Sequence, residues 1–197
     1  MKIIKTYALS EKTLEKDIDK FIRDAKKGAY QYDYKDGQEG LKILKAYFRM
    51  IEQELKKGDY SEAILAYEKL FTFLFQKEYD YFNYEDIIGK FNTEKLIGNY
   101  FYALIKNKEN IFQKYLDYLK LTDEYYFESA HRTIIINLSE SELVKFFDKI
   151  EERLKLVKSE EYCYYELADI LVDYYKNKDK DKHLELKEKY KEFLEDD

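Results

Sequence analysis

Leu55-Lys56-Lys57-Gly58-Asp59-Tyr60-Ser61-Glu62-Ala63-Ile64-Leu65-Ala66-Tyr67 reads as one helix ending and another beginning. Two lysines complement the carbonyl end of the first helix, and Gly58 can take the left-handed conformation that stops it. Asp59 and Glu62 then stand three apart, a capping-box-like pair with Asp in place of the usual Ser or Thr. Upstream, Leu41, Leu44, Phe48, Ile51 and Leu55 recur at spacings of three and four, the stripe of one buried helix face over residues 40–57. Downstream, Ala63, Ile64, Tyr67, Leu70, Phe71, Leu74 and Phe75 continue to Lys77. So short a turn leaves the two helices antiparallel.

The same grammar extends both ways. Residues 13–27 carry Leu14, Ile18, Phe21, Ile22 and Ala25 on one face and end on Lys26-Lys27-Gly28. Residues 29–39 read as a loop with Tyr30, Tyr32, Tyr34 and Gly37, so that Gly40 opens the next helix. Residues 78–92 are the least regular, with room for a short helix at 85–91. Thr93 caps a helix to Lys106, and further helices are expected over 108–119, 123–136, 139–157, 159–176 and 182–195. The β-branched run Thr133-Ile134-Ile135-Ile136 stays helical in this reading, because no second strand lies near to pair with it. Ser139 and Glu142 form a second capping box.

Composition narrows the class. The 197 residues suit one domain or one compact repeat array, and there is no proline. A single cysteine excludes an internal disulfide and a cysteine-based zinc site. No run approaches the ~20 apolar residues of a transmembrane helix, and residues 1–10 lack the apolar core of a secretory signal. The reading is a soluble, cytoplasmic, helical protein. Lys and Arg number 35 against 41 Asp and Glu, a net charge of −6. The four arginines, Arg23, Arg49, Arg132 and Arg153, fall in four different segments, and the lysines are interleaved with acids. That describes solvated helix faces rather than a nucleic-acid stripe, so no direct nucleic-acid contact is expected. The 22 tyrosines and 13 phenylalanines, with abundant Lys, Ile and Asn, also follow from AT-rich codons.

Tight turns near Gly58, Asn107, Leu138 and Asn177 divide the chain at intervals whose mean is near the ~40 residues of a HEAT or armadillo unit. Gly58 to Tyr67 is also similar to the second-helix start of a tetratricopeptide repeat, where small alanines permit close approach. The expected fold is all-α, antiparallel hairpins stacked as a TPR/HEAT-like right-handed superhelix over residues 1–197, with 182–195 as a polar capping helix. An irregular helical bundle is the alternative. Three features in order are Leu55 to Ala63, then Leu96 to Ala103 after a Tyr/Asp-rich loop, then Lys120-Leu121-Thr122-Asp123-Glu124-Tyr125. Together they resemble the helical-repeat region C-terminal to the zinc finger of prokaryotic SWIM-type proteins. The resemblance implies a tetratricopeptide-like superhelix only, because the finger's cysteine and histidine ligands are absent here.

Catalytic chemistry finds no foothold. Glu128 and His131 form a single Glu-x-x-His pair, where a di-iron bundle needs two such motifs and two more carboxylates. His131 reads as a half-buried histidine bonded to a neighbour, His183 as solvent-exposed in a charged turn, and Cys163 as a buried inert thiol. There is no nucleophile elbow and no glycine-rich phosphate loop. No catalytic residue, metal ligand or cofactor is assigned.

What remains are three aromatic–acidic clusters at expected loops or helix starts. Their partner-binding candidates are Tyr32 and Tyr34; Tyr79, Tyr81, Phe82 and Tyr84; and Tyr125 and Tyr126. Tyrosine supplies contact area at small entropic cost, and interleaved Asp and Glu favour a basic partner. The same rings could instead pack inward with only their hydroxyls at the surface. The expected function is a non-enzymatic protein–protein interaction module. The alternative is a small acidic inhibitor or accessory protein of a mobile-element or defence system that occludes a basic nucleic-acid-binding protein.

Overall fold

The computed structural model describes residues 8–9, 11–31, 34–75, 82, 87–122, 127–156, 163–191 and 194. Among these there are nine α-helices and no strand. They are α1 (Leu14–Lys26), α2 (Tyr34–Lys57), α3 (Tyr60–Phe75), α4 (Thr93–Lys106), α5 (Ile111–Thr122), α6 (Ser129–Asn137), α7 (Glu140–Leu156), α8 (Cys163–Lys176) and α9 (Lys180–Lys189). The fold is all-α. The sequence reads as one array over 1–197; the contacts gather it into two compact units, residues 1–107 and 108–197.

Helix ends follow local chemistry. Thr13 caps α1 by accepting from the Lys16 amide at 3.3 Å. Gly28 and Gly58 both have positive φ, +85° and +83°. At Gly58 the amides of Gly58 and Asp59 reach back to the carbonyls of Leu55 and Glu54 at 3.1 and 3.0 Å, the paired closure of a Schellman end. The Asp59 side chain then accepts from the Glu62 amide at 3.2 Å. Because the Asp59 amide is already bonded to Glu54, only this half of the expected box forms. The Ser139 box forms from the other direction: Glu142 accepts the Ser139 amide at 2.9 Å and its hydroxyl as well. Those bonds hold the Glu142 carboxyl below its usual range. Asn92, one residue before the expected Thr93, caps α4, and Asp179 caps α9.

In the first unit α3 packs against α1, α2 and α4. A helix touched from three sides must be apolar on nearly all of them, and α3 buries Ala63, Ile64, Ala66, Tyr67, Leu70, Phe71, Phe73 and Phe75. Around it lie edge-to-face pairs such as Phe71–Tyr100 at 5.6 Å and Phe48–Phe91 at 5.2 Å. In the second unit α8 has the same role, packing against α5, α7 and α9. Its Tyr174 stacks on Phe147 of α7 at 3.7 Å. α6 is a short outer helix that buries Ala130 and Ile134 and leaves Ile136 exposed, so the β-branched run is helical.

Several boundaries differ from the sequence reading. α2 begins at Tyr34 rather than Gly40, so Gly37 and Gly40 are helical residues. The short helix at 85–91 is a single 3-10 turn, Ile88–Lys90. The helix expected over 123–136 starts at Ser129, that over 108–119 runs Ile111–Thr122, and the last ends at Lys189. Residues 123–126 and 157–162 lie outside the described residues.

Candidate functional site

Phe82 is the described member of the aromatic–acidic clusters whose side chain can be placed, and it corrects its assignment. The ring is buried, 3% exposed. It stacks on Phe21 of α1 and on Tyr30, each at 6.0 Å, and meets Phe73 of α3 edge-on at 5.7 Å. It also lies directly over Gly40 of α2, where a Cβ would come within 2.6 Å of its ring. A ring enclosed on four sides contributes to the core and offers no contact to a partner. Tyr34 starts α2, with its side chain outside the described atoms. Tyr32, Tyr79, Tyr81, Tyr84, Tyr125 and Tyr126 lie outside the described residues.

Beside this aromatic nest, α1 and α3 border an open cleft of about 300 Å³. Ile22, Leu65 and Phe73 supply apolar surface, and Lys26, Glu68 and Lys69 supply the charge. Lys69 donates to both oxygens of Asp19 at 2.7 Å and lies 3.0 Å from Glu15. Its partial burial works against the charge, but those two carboxylates outweigh it and hold its pKa above the usual lysine range. The ammonium is therefore a clamp between α1 and α3. The cleft had no sequence signal, because Leu65 falls outside the periodic stripe and the Asp19–Lys69 pair spans fifty residues.

A second polar group fixes α1 from inside. Asp17 is 1% exposed, accepts the Tyr47 hydroxyl of α2 at 2.9 Å and accepts the Glu11 amide at 2.9 Å. Two donors on one carboxylate offset much of its burial. This is a strut, joining α2 and the segment before α1.

In the second unit His131 is half-buried. Burial pushes its imidazole below the ordinary range, opposed by Glu128 on its own helix and by Asp173 and Asp169 of α8; the Arg132 cation adds to the lowering. Glu128 itself faces Arg132 at 3.4 Å. No group of three or more His, Cys, Asp or Glu side chains able to hold a metal ion occurs among the described residues. His183 corrects its expectation: it is half-buried, with Nδ1 3.0 Å from the Val172 carbonyl oxygen of α8. Cys163 is the first residue of α8, its side chain outside the described atoms.

The two units differ in charge. Residues 1–107 hold 19 Lys and Arg against 18 Asp and Glu, a formal +1; residues 108–197 hold 16 against 23, a formal −7. No described helix is long and apolar enough to cross a membrane. No family model, curated protein or solved structure matches the chain, so the chemistry of the side chains alone speaks to its role.

Proposed function

We propose that the chain is a non-enzymatic interaction module: stacked helix hairpins of TPR-like form that bind a protein partner with a basic surface through a concave face and Tyr/Asp-rich loops. The observation that carries this reading is the burial of Phe82. Its ring ties the middle of Tyr79-Asp80-Tyr81-Phe82-Asn83-Tyr84-Glu85-Asp86 to the core, with three tyrosines and three acids covalently attached around that anchor. A segment fixed at one point loses less entropy on binding than a free one. The test is recovery of a partner from the native host with the wild type and with Tyr81→Ala/Tyr84→Ala, which leaves Phe82 intact. The expected result is one stoichiometric partner, lost from the double variant at unchanged thermal stability. Equal recovery, or none with the wild type, refutes the reading.

The −7 carried by residues 108–197 favours a second reading, a small acidic inhibitor or accessory protein of a mobile-element or defence system that occludes a basic nucleic-acid-binding protein. It requires binding to a basic nuclease that weakens steeply with salt. Salt-insensitive binding, or none, removes it.

A further inference from the structure

The charges of α1 are interleaved in the sequence and sorted by the helix. At 3.6 residues per turn, Lys16, Lys20, Arg23 and Lys27 fall within an arc of about 60° and span about 16 Å of helix axis. This arc lies opposite the buried face made by Leu14, Ile18, Phe21 and Ala25. Lys16, Arg23 and Lys27 are exposed and Lys20 is half-buried; Lys12, also exposed, stands just ahead of the cap.

The acids of α1 go elsewhere. Asp17 is buried on Tyr47, Glu15 and Asp19 clasp Lys69 of α3, and Asp24 sits half-buried at the flank. The outward line is therefore basic through its exposed members, Lys16, Arg23 and Lys27.

We infer that the outer face of α1 is a docking stripe for the phosphate backbone of a nucleic acid. The chemistry of the stripe decides among polyanions. Protein interfaces draw their energy from desolvated aromatic and apolar anchors, and exposed charge pairs add little. This line of cations contains no such anchor. An anionic membrane surface is held firmly by a basic helix that also inserts an apolar face, and the apolar face of α1 is buried in the core of its unit. A nucleic acid needs neither. Its dense line of phosphates carries condensed counterions, and their release by point charges supplies the binding. Contacts to phosphate carry no base readout, so the docking is independent of sequence.

The experiment uses the intact chain and a fluorescein-labelled 20-base-pair duplex, in DNA and in RNA form, with anisotropy read between 50 and 200 mM NaCl. Three phosphate contacts, from the exposed Lys16, Arg23 and Lys27, give a slope of log K against log salt of about −2.7, a loss of roughly 40-fold over that range. Lys16→Gln/Arg23→Gln should lower the slope to about −0.9. Lys187→Gln/Lys189→Gln, which removes the same charge from α9, should leave it unchanged. Both pairs are exposed, and circular dichroism checks that each variant remains folded. No binding of either duplex at 50 mM overturns the inference, as does a slope that the α1 variant does not alter. Equal capture by vesicles containing phosphatidylserine would assign the stripe to a membrane instead. Charge-for-charge competition by polyglutamate would assign it to an acidic protein.

Discussion

Gly40→Ala sets two effects of known sign against each other. In a helix interior, replacing Gly by Ala stabilises by about 1 kcal/mol, because Gly loses more backbone freedom on folding. At Gly40 the added Cβ would sit 2.6 Å from Cδ1 and Cε1 of Phe82 and 3.0 Å from Cγ of Tyr30. Phe82 cannot swing aside, being held by Phe21, Tyr30 and Phe73. Forcing extra volume into such a site costs about 1–3 kcal/mol. The clash wins, and Gly40→Ala should destabilise by up to about 2 kcal/mol in urea unfolding.

Phe82→Ala alone should cost about 3–5 kcal/mol. In that background the nearer obstruction is gone and only Tyr30 Cγ at 3.0 Å remains, so Gly40→Ala should turn stabilising by up to about 1 kcal/mol. The double-mutant cycle therefore yields a coupling of about 1–3 kcal/mol, far above the additivity expected of independent sites. A stabilising Gly40→Ala in the wild type, or the same effect in both backgrounds, would show that Phe82 does not rest on α2.

Other substitutions separate backbone, hydrogen-bond and protonation effects. Gly58→Ala meets no atom within 4 Å, so its cost of about 1–2 kcal/mol comes from the positive φ alone; a neutral thermal melt would contradict the Schellman end. Tyr47→Phe removes the hydroxyl that serves buried Asp17 and should cost about 1–3 kcal/mol with no change of shape; wild-type stability would mean that Asp17 does not depend on that donor. His131→Gln tests linkage. The folded state holds His131 below the ordinary histidine range while the unfolded chain takes up a proton near pH 6.5, so wild-type stability falls as pH drops through that value. Melting temperatures between pH 7.5 and 5.5 should fall less in the variant, and parallel profiles would refute the assignment.

The parts of the fold legible in the sequence are those whose chemistry is local. Thr13, Asp59, Ser139 with Glu142, and the glycines at 28 and 58 act on backbone groups within a few residues, and each marks a helix end where the sequence places one. The stripes through α3 and α7 are likewise local in period. Failures occur where a distant residue decides. Gly40 reads as the edge of a loop because glycine usually breaks a helix; here it is helical and makes room for a ring 42 positions away. Phe82 reads as surface because its sequence neighbours are tyrosines and acids, yet its burial is set by Phe21, Gly40 and Phe73 on three different helices. His183 reads as exposed in a charged turn, and α9 packing back on α8 brings it to the Val172 carbonyl.

Charge shows the same limit in another form, since linear order does not fix what a helix presents. Along α7, Lys145, Lys149 and Glu152 fall on one outward line with Asp148 beside them, so that face is mixed and its charges offset one another. α1 has comparable proportions of Lys, Arg, Asp and Glu, but Lys16, Lys20, Arg23 and the C-cap Lys27 recur at steps of four, three and four, with Lys26 off that line, while its acids fall between those steps. Winding then separates the two signs, and partners complete the separation: Tyr47 takes Asp17 inward, and Lys69 draws Glu15 and Asp19 toward α3. The second step needs residues 30 to 54 positions away, which is why counting charges along the chain finds a neutral segment where the folded helix carries a basic edge.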